Sequence, residues 1–249
     1  MQANSRVPTS AQDGIHRHLA ALLERHRQAP FRKPYTDYNR VAFAASIERW
    51  RRVAPDTPLI LDACCGTGES SLALAALFPD HYVIGVDQSG VRLRRRLAAQ
   101  EASAASPPGW PANVGFARAD LVDYWRLLRD EGIRLARHYL LYPNPWPKIG
   151  HLSRRWHGHP VFPALLELGG VLECRSNWRI YIEEFCFAVN ALSRSCYGRE
   201  TRCEAFVPAS PLTLFERKYQ ASGHALYRAV VDLRALPRDN LSLVPFCGN

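Results

Sequence analysis

From Pro58 onward short apolar runs alternate with helical segments, and this alternation predicts an α/β fold. The expected core is a doubly wound, mostly parallel, Rossmann-like sheet with an antiparallel edge strand and helices on both faces. Three observations carry the expectation. Five runs, at 58–63, 81–87, 113–120, 138–145 and 169–177, read as buried strands. The stretches between them, at 69–77, 89–101, 121–130 and 161–168, read as helices. The first strand also passes through a small-residue turn holding Gly66 and Gly68 directly into a helix.

The elements follow in order. Residues 9–28 carry Ile15, Leu19, Leu22 and Leu23 at helical spacing, so an amphipathic helix is expected there. Two prolines in 29–34 end it, and a second helix is expected over 37–52 with Thr36 or Asp37 as its cap. Residues 103–111 form a Pro/Gly loop and 142–159 a long polar loop. Beyond the fifth strand a helix is expected over 178–193, then strands over 201–206 and 224–233 joined by a long loop. These last two are the antiparallel pair at the sheet edge. The expected organisation is a basic helical extension over 1–55, one domain over 56–236 and an irregular tail over 237–249.

Composition excludes several classes. Hydrophobic residues make up 47% and charged residues 22% of 249, a globular balance. The longest apolar runs fall far short of the roughly 18 residues that a membrane span needs, and the polar start MQANSRVPTS lacks the apolar core of a signal peptide. A cytoplasmic protein with no membrane association is the expectation. Seven cysteines, at 64, 65, 174, 186, 196, 203 and 247, form no C-x-x-C pair, so reduced thiols and no metal site are expected. The net charge is +9, and all but three of the 32 basic residues are arginine. Residues 1–55 hold ten Arg/Lys against four acids. Such a segment suits a polyanion, nucleic acid first, and equally a solvated helix face.

Acids stand at three successive strand tips: Asp62, Asp87 and Asp120. Asp87 lies 19 residues after Gly68, where an acid can hold both hydroxyls of a ribose. A dinucleotide turn needs Gly or Ala in its third place, and Ser71 stands there instead. Asp62 and Glu69 would also repel a pyrophosphate. S-adenosylmethionine has no phosphate and carries a sulfonium and an ammonium, so the acids favour it. The series resembles a class I S-adenosylmethionine-dependent methyltransferase, whose third strand-tip acid usually contacts the adenine.

The fourth strand ends in LYPNPWPKIGHLSRRW. Prolines at 143, 145 and 147 stiffen this loop, so that Asn144 can point at a substrate. Lys148, His151, Arg154 and Arg155 follow and read as a phosphate clamp. This loop, then GGVLECRSNW, then LTLFERK with Gly223-His224, resembles the TrmB family of tRNA (guanine-N7)-methyltransferases over nearly the whole chain. The resemblance implies methylation of N7 of a variable-loop guanine, usually position 46, with tRNA as partner and a monomer or homodimer as the assembly. It implies that Asp62, Gly66, Gly68, Asp87 and Asp120 bind S-adenosylmethionine, with Asn144 next to both cofactor and substrate as the catalytic position. Lys148, Arg154, Arg155, Asn177, Thr213 and Glu216 would face the substrate.

The chain departs from the family pattern at several points. Asn144 and Asn177 stand where aspartates are usual, Cys64 replaces the first glycine of the turn, and the segment between Arg155 and Gly169 is a few residues short. Guanine N7 carries no proton, so attack on the sulfonium methyl needs positioning rather than a base. A carboxylate would serve the developing cation and guanine's N1–H and N2–H better than an asparagine. The departures therefore leave open another RNA nitrogen or a small molecule as substrate, or an RNA-binding paralogue with little catalysis.

Overall fold

A computed structural model of the chain describes residues 5–29, 31–103, 106–197 and 200–234. Two helices, α1 (Leu19–Gln28) and α2 (Asp37–Val53), precede the first strand. The alternating region follows as β1 (Leu59–Ala63), α3 (Glu69–Leu77), β2 (Tyr82–Asp87), α4 (Gly90–Glu101), β3 (Val114–Arg118), α5 (Leu121–Asp130) and β4 (Arg137–Leu141). It continues through α6 (Phe162–Glu167), β5 (Val171–Ser176), α7 (Arg179–Tyr197), β6 (Glu204–Phe206), α8 (Leu214–Ala221) and β7 (Leu226–Asp232). One seven-stranded sheet runs β3-β2-β1-β4-β5-β7-β6. Its first five strands are parallel, while β7 lies antiparallel to both β5 and β6.

Side-chain alternation along the strands sorts the helices between two faces. Leu59, Leu61 and Ala63 of β1 pack with α1, α2, α5, α6 and α7. Ile60, one residue out of step, packs on the other face with Leu74 of α3 and Leu93 of α4. All five parallel strands point their C-terminal tips to one edge. The tips of β1, β4 and β5 are adjacent there, because the strand order reverses between β1 and β4. Crevices at such a reversal are where open α/β sheets bind ligands.

Three expectations need correction. The first helix begins at Leu19, ten residues later than expected. Upstream, the Gln12 side chain and the His16 backbone are both bonded to Glu184 of α7, which holds that stretch away from helical geometry. The long loop between the last two strands contains α8, whose Thr213 hydroxyl accepts from the Glu216 backbone N–H. The Thr-x-x-Glu spacing there was a readable helix start. The 142–159 loop is tightened by two 3-10 turns, Ile149–Arg154 and Trp156–Gly158. The tail over 237–249 and the Cys247 thiol lie outside the described residues. Of the other cysteines, 64, 65, 174, 186 and 203 are free thiols. No helix among the described residues is long and apolar enough to cross a membrane.

Glu184 of α7 takes donors from four residues and so ties three segments together. Its Oε2 accepts from Arg155 Nη1 at 2.5 Å and His157 Nε2 at 2.8 Å, and its Oε1 from Gln12 Nε2 at 2.5 Å and the His16 backbone at 2.9 Å. Burial alone would raise this carboxyl, but His157 and Arg155 draw it down to about 2. Arg155 and Glu184 are both fully buried. Removing one partner of such a pair strands a charge in the interior, at a cost of roughly 3–5 kcal/mol. Arg155→Ala should lower unfolding stability by that amount in urea titration, whereas Arg154→Ala, on the exposed neighbour, should leave the midpoint in place.

Candidate active site

The turn after β1 is built by backbone conformation. Cys64, Gly66 and Gly68 all have positive φ, at 61°, 60° and 79°. A Cβ on Gly68 would sit 2.5 Å from the Phe116 ring, so that position needs glycine for space as well as conformation. A Cβ on Gly66 would meet nothing within 4 Å, which leaves an open approach to the backbone there. Cys64 takes the left-handed conformation that explains why glycine suits this place. Its thiol, pushed up to about 12 by burial, stays protonated.

Asp62 is turned inward. Its Oδ2 accepts from the hydroxyls of Ser70 and Ser71 at 2.6 Å each, while its buried Oδ1 has no partner. Burial raises its carboxyl to about 6 against the pull of the two hydroxyls. Asp87 holds the turn from the next strand: Oδ2 accepts from the Gly66 N–H at 3.0 Å and Oδ1 from the Ser89 N–H at 2.8 Å. Asp120 caps α5 by accepting from the Val122 N–H at 2.9 Å. The three acids thus stand at the tips of adjacent β1, β2 and β3, each also bracing a turn. An orphaned acceptor at Asp62, an open backbone at Gly66 and a second carboxylate at Asp87 fit a ligand carrying an ammonium and a ribose.

The loop after β4 is strained at both ends, with φ of 53° at Tyr142 and 45° at Trp146. Asn144 is exposed between them, and its Oδ1 accepts from the Trp146 N–H at 3.3 Å. Its amide nitrogen is therefore the end that faces outward. Lys148 and Arg154 are exposed, and the Arg154 guanidinium lies 5.0 Å over the Trp146 ring. Arg155 departs from the expected clamp. Besides Glu184 it bonds to the Trp146 carbonyl at 3.2 Å and to Gln12 Oε1 at 3.1 Å, and it has no exposed surface. It supports the loop from beneath and cannot reach a phosphate from this position.

Asn177, at the end of β5, is 7% exposed and bonded to His224. Glu216 also departs from the expected substrate-facing role, while Thr213 is half-buried beside it. Thr213 is the cap of α8. Glu216 is fully buried: its Oε1 accepts from Tyr142 Oη at 2.7 Å and Arg175 Nη1 at 2.9 Å, and its Oε2 from the Leu212 N–H at 2.7 Å. It anchors the start of the proline loop, and burial and the neighbouring carboxylate both keep the Tyr142 hydroxyl protonated. Sequence reasoning missed Tyr142, Arg175 and Tyr219 as members of this site. Tyr142 was legible as the residue opening the proline loop, whereas Arg175 and Tyr219 gain meaning only through contacts across the fold. Among the described residues no group of three or more His, Cys, Asp or Glu is placed to hold a metal ion.

Fold and strand-tip site together define a class I methyltransferase. Solved structures of similar fold include the 16S rRNA methyltransferase KamB, with 18% identity, TM-score 0.51, and coverage of 80% of this chain and 95% of that one. A 16S rRNA (adenine(1408)-N(1))-methyltransferase variant from Catenulisporales acidiphilia, solved with cosubstrate SAM, shows 18% identity, TM-score 0.51, and coverage of 77% and 92%. A family profile described as "Putative methyltransferase" (Methyltransf_4) matches residues 56–229. The tRNA (guanine-N(7)-)-methyltransferase of Leifsonia xyli subsp. xyli is 30% identical over 192 residues, 75% of this chain and 78% of the relative. That of Stutzerimonas stutzeri is 31% identical over 172 residues, 65% and 67% of the two chains. The chain belongs to the TrmB family of tRNA (guanine-N7)-methyltransferases within this group.

The conformation of Cys64 makes a stability prediction. Cys64→Gly should shift the unfolding free energy by less than about 1 kcal/mol, because relieved strain offsets added chain entropy. Cys64→Val places a β-branched residue at positive φ and should cost roughly 1–2 kcal/mol or more. Thermal melts of the two variants check the difference.

Proposed function

We propose that this protein transfers a methyl group from S-adenosylmethionine to N7 of a variable-loop guanine, position 46, in tRNA. The observation that carries the reading is the adjacency of three tips: the β1 turn, the proline-stiffened loop after β4 and Asn177 after β5. When bound, S-adenosylmethionine supplies an electrophilic methyl group on a sulfonium. Gly66 would leave room for it in the turn that Gly68 shapes, Asp87 would hold its ribose, Asp120 would serve its adenine, and the Asp62 Oδ1 would offer an acceptor to its ammonium. Asn144 and Asn177 hold the guanine so that N7 lies in line with the methyl, and the loop excludes water. The outward amide of Asn144 suits a carbonyl oxygen such as guanine O6. Lys148 and Arg154, with exposed basic residues of the first 55 such as Arg17 and Arg25, follow RNA phosphates. Thr213, Glu216 and Arg155 serve the reaction by fixing the elements that carry these groups. The protein acts in the cytoplasm, where its tRNA substrate is.

Two experiments test this reading. Nucleoside mass spectrometry of tRNA from a deletion strain should show loss of 7-methylguanosine, and an unchanged level would refute the proposal. In binding assays Lys148→Ala/Arg154→Ala should flatten the log-affinity against log-salt slope by roughly 0.7–0.9 for each phosphate that the two side chains neutralise.

Asp62 adds a pH dependence. Its folded carboxyl, near 6, lies above the unfolded value of roughly 4, so the protonated form is the one that folding favours. Its contribution to stability is present below about pH 4 and lost as pH rises through 6. Pairing with an ammonium requires the ionised form, so cofactor affinity should rise through pH 6 and then level off. Calorimetry across pH 5–8 should show that rise in the wild type and a flat profile in Asp62→Asn.

A further inference from the structure

His224 completes a hydrogen-bond chain that decides which end of Asn177 is free. Its Nε2 lies 2.9 Å from the Ser5 carbonyl oxygen, and its Nδ1 lies 3.1 Å from the Asn177 amide. A carbonyl can only accept, so Nε2 carries the proton. The Asn177 atom at Nδ1 is the amide nitrogen, which can only donate, so Nδ1 accepts with a bare lone pair. The Asn177 carbonyl oxygen is left over, with no donor to it among the described residues. The imidazole is held in this attitude by Tyr219, stacked at 5.3 Å and 12°, which in turn packs 5.5 Å from Tyr142 at the root of the proline loop.

We propose that His224 is a positioning residue that makes Asn177 an acceptor-only side chain toward the target guanine. The proposal rests on the functional reading above, in which Asn177 faces that base. A freely rotating asparagine presents its amide as readily as its oxygen. Guanine N1–H and N2–H are donors, so an outward amide would meet them donor to donor. With its nitrogen held by His224, Asn177 offers oxygen alone, which is what a carboxylate at this position would offer without the charge. The arrangement also disfavours adenine, whose N1 is a lone pair and would face the Asn177 oxygen acceptor to acceptor. Three separate segments meet to achieve it: the chain start at Ser5, the tip of β5 and the turn before β7.

The test combines a tautomer measurement with methyl transfer from labelled S-adenosylmethionine to unmodified tRNA. Nitrogen-15 NMR of the full-length protein should show His224 with Nε2 protonated and Nδ1 bare, a readout independent of activity and of any variant's folding. His224→Phe keeps a ring against Tyr219 and loses both nitrogens, and kcat/KM should fall about 10-fold, equivalent to about 1.4 kcal/mol. His224→Gln keeps an acceptor for Asn177 and a donor for Ser5 and should recover most of that loss. In an Asn177→Asp background, where either rotamer presents an oxygen, His224→Phe should cost less than about 3-fold, equivalent to about 0.7 kcal/mol. A proton on Nδ1, a His224→Phe variant as fast as wild type, or equal losses in the Phe and Gln variants would each overturn the proposal. A wild type that shows the Nε2 tautomer yet methylates no tRNA guanine would overturn it through the functional reading instead, and the NMR result identifies that case.

Discussion

The proline loop after β4 depends on one buried carboxylate. Glu184 takes up four donors from Gln12, His16, Arg155 and His157. Removing a carboxylate and a guanidinium from water costs several kcal/mol each, and only near-complete hydrogen bonding offsets it. Both oxygens are engaged, and Arg155 directs its remaining donors to Gln12 and the Trp146 carbonyl. Trp146 sits at φ 45°, a conformation that persists only where the surroundings impose it. The Arg155 bond to its carbonyl is part of that imposition. The hub therefore joins the chain start, the strained loop and α7 in one network, and the exposed groups Asn144, Lys148 and Arg154 inherit their positions from it.

Glu216 has the same part at the loop's other end. It receives Tyr142, Arg175 and the Leu212 N–H, and Arg175 is shared with Glu173 of the same strand. Tyr142 is at φ 53°, so the strained residues on either side of Asn144 are each fixed by a buried acid. Rigid placement of this kind lets a proline loop orient a base in a reaction that needs alignment rather than proton transfer. Among the described residues at the strand tips, the Oδ1 of Asp62, the amide nitrogen of Asn144 and the carbonyl of Asn177 have no partner within the protein.

The sequence exposes what is local. Strand β1 is expected at 58–63 and found at Leu59–Ala63, and α3, with its glycine turn, matches the expected 69–77. Short continuous apolar runs and glycine turns are encoded within a few residues of where they act. The strand-tip positions of Asp62, Asp87 and Asp120 follow directly from that. The roles of Arg155 and Glu216 do not. Arg155 is buried because Gln12, 143 positions away, and Glu184, 29 away, converge on it. An Arg-Arg pair offers no local sign of which member turns inward. Glu216 is a different case, since Thr213 and Glu216 have the spacing of a helix start, and family resemblance drew attention to the substrate instead.

The asparagines at 144 and 177 are intelligible through the same geometry. An aspartate at 177 would be a nearly buried carboxylate facing the bare Nδ1 of His224, lone pair against lone pair, and His224 would have to give up its bond to Ser5 or take a second proton. Asparagine avoids both and keeps an oxygen that takes no donor from the described residues. At 144 the carbonyl is engaged by the Trp146 N–H, so the free end is the amide. The pair thus presents one donor, at the tip of β4, and one acceptor, at the tip of β5. Guanine offers the complement, with O6 accepting and N1–H donating side by side. Adenine offers the reverse, N6–H₂ donating and N1 accepting. On the proposed reading, two asparagines that each look unfavourable for guanine alone become a matched set once their neighbours have fixed which end of each amide is free.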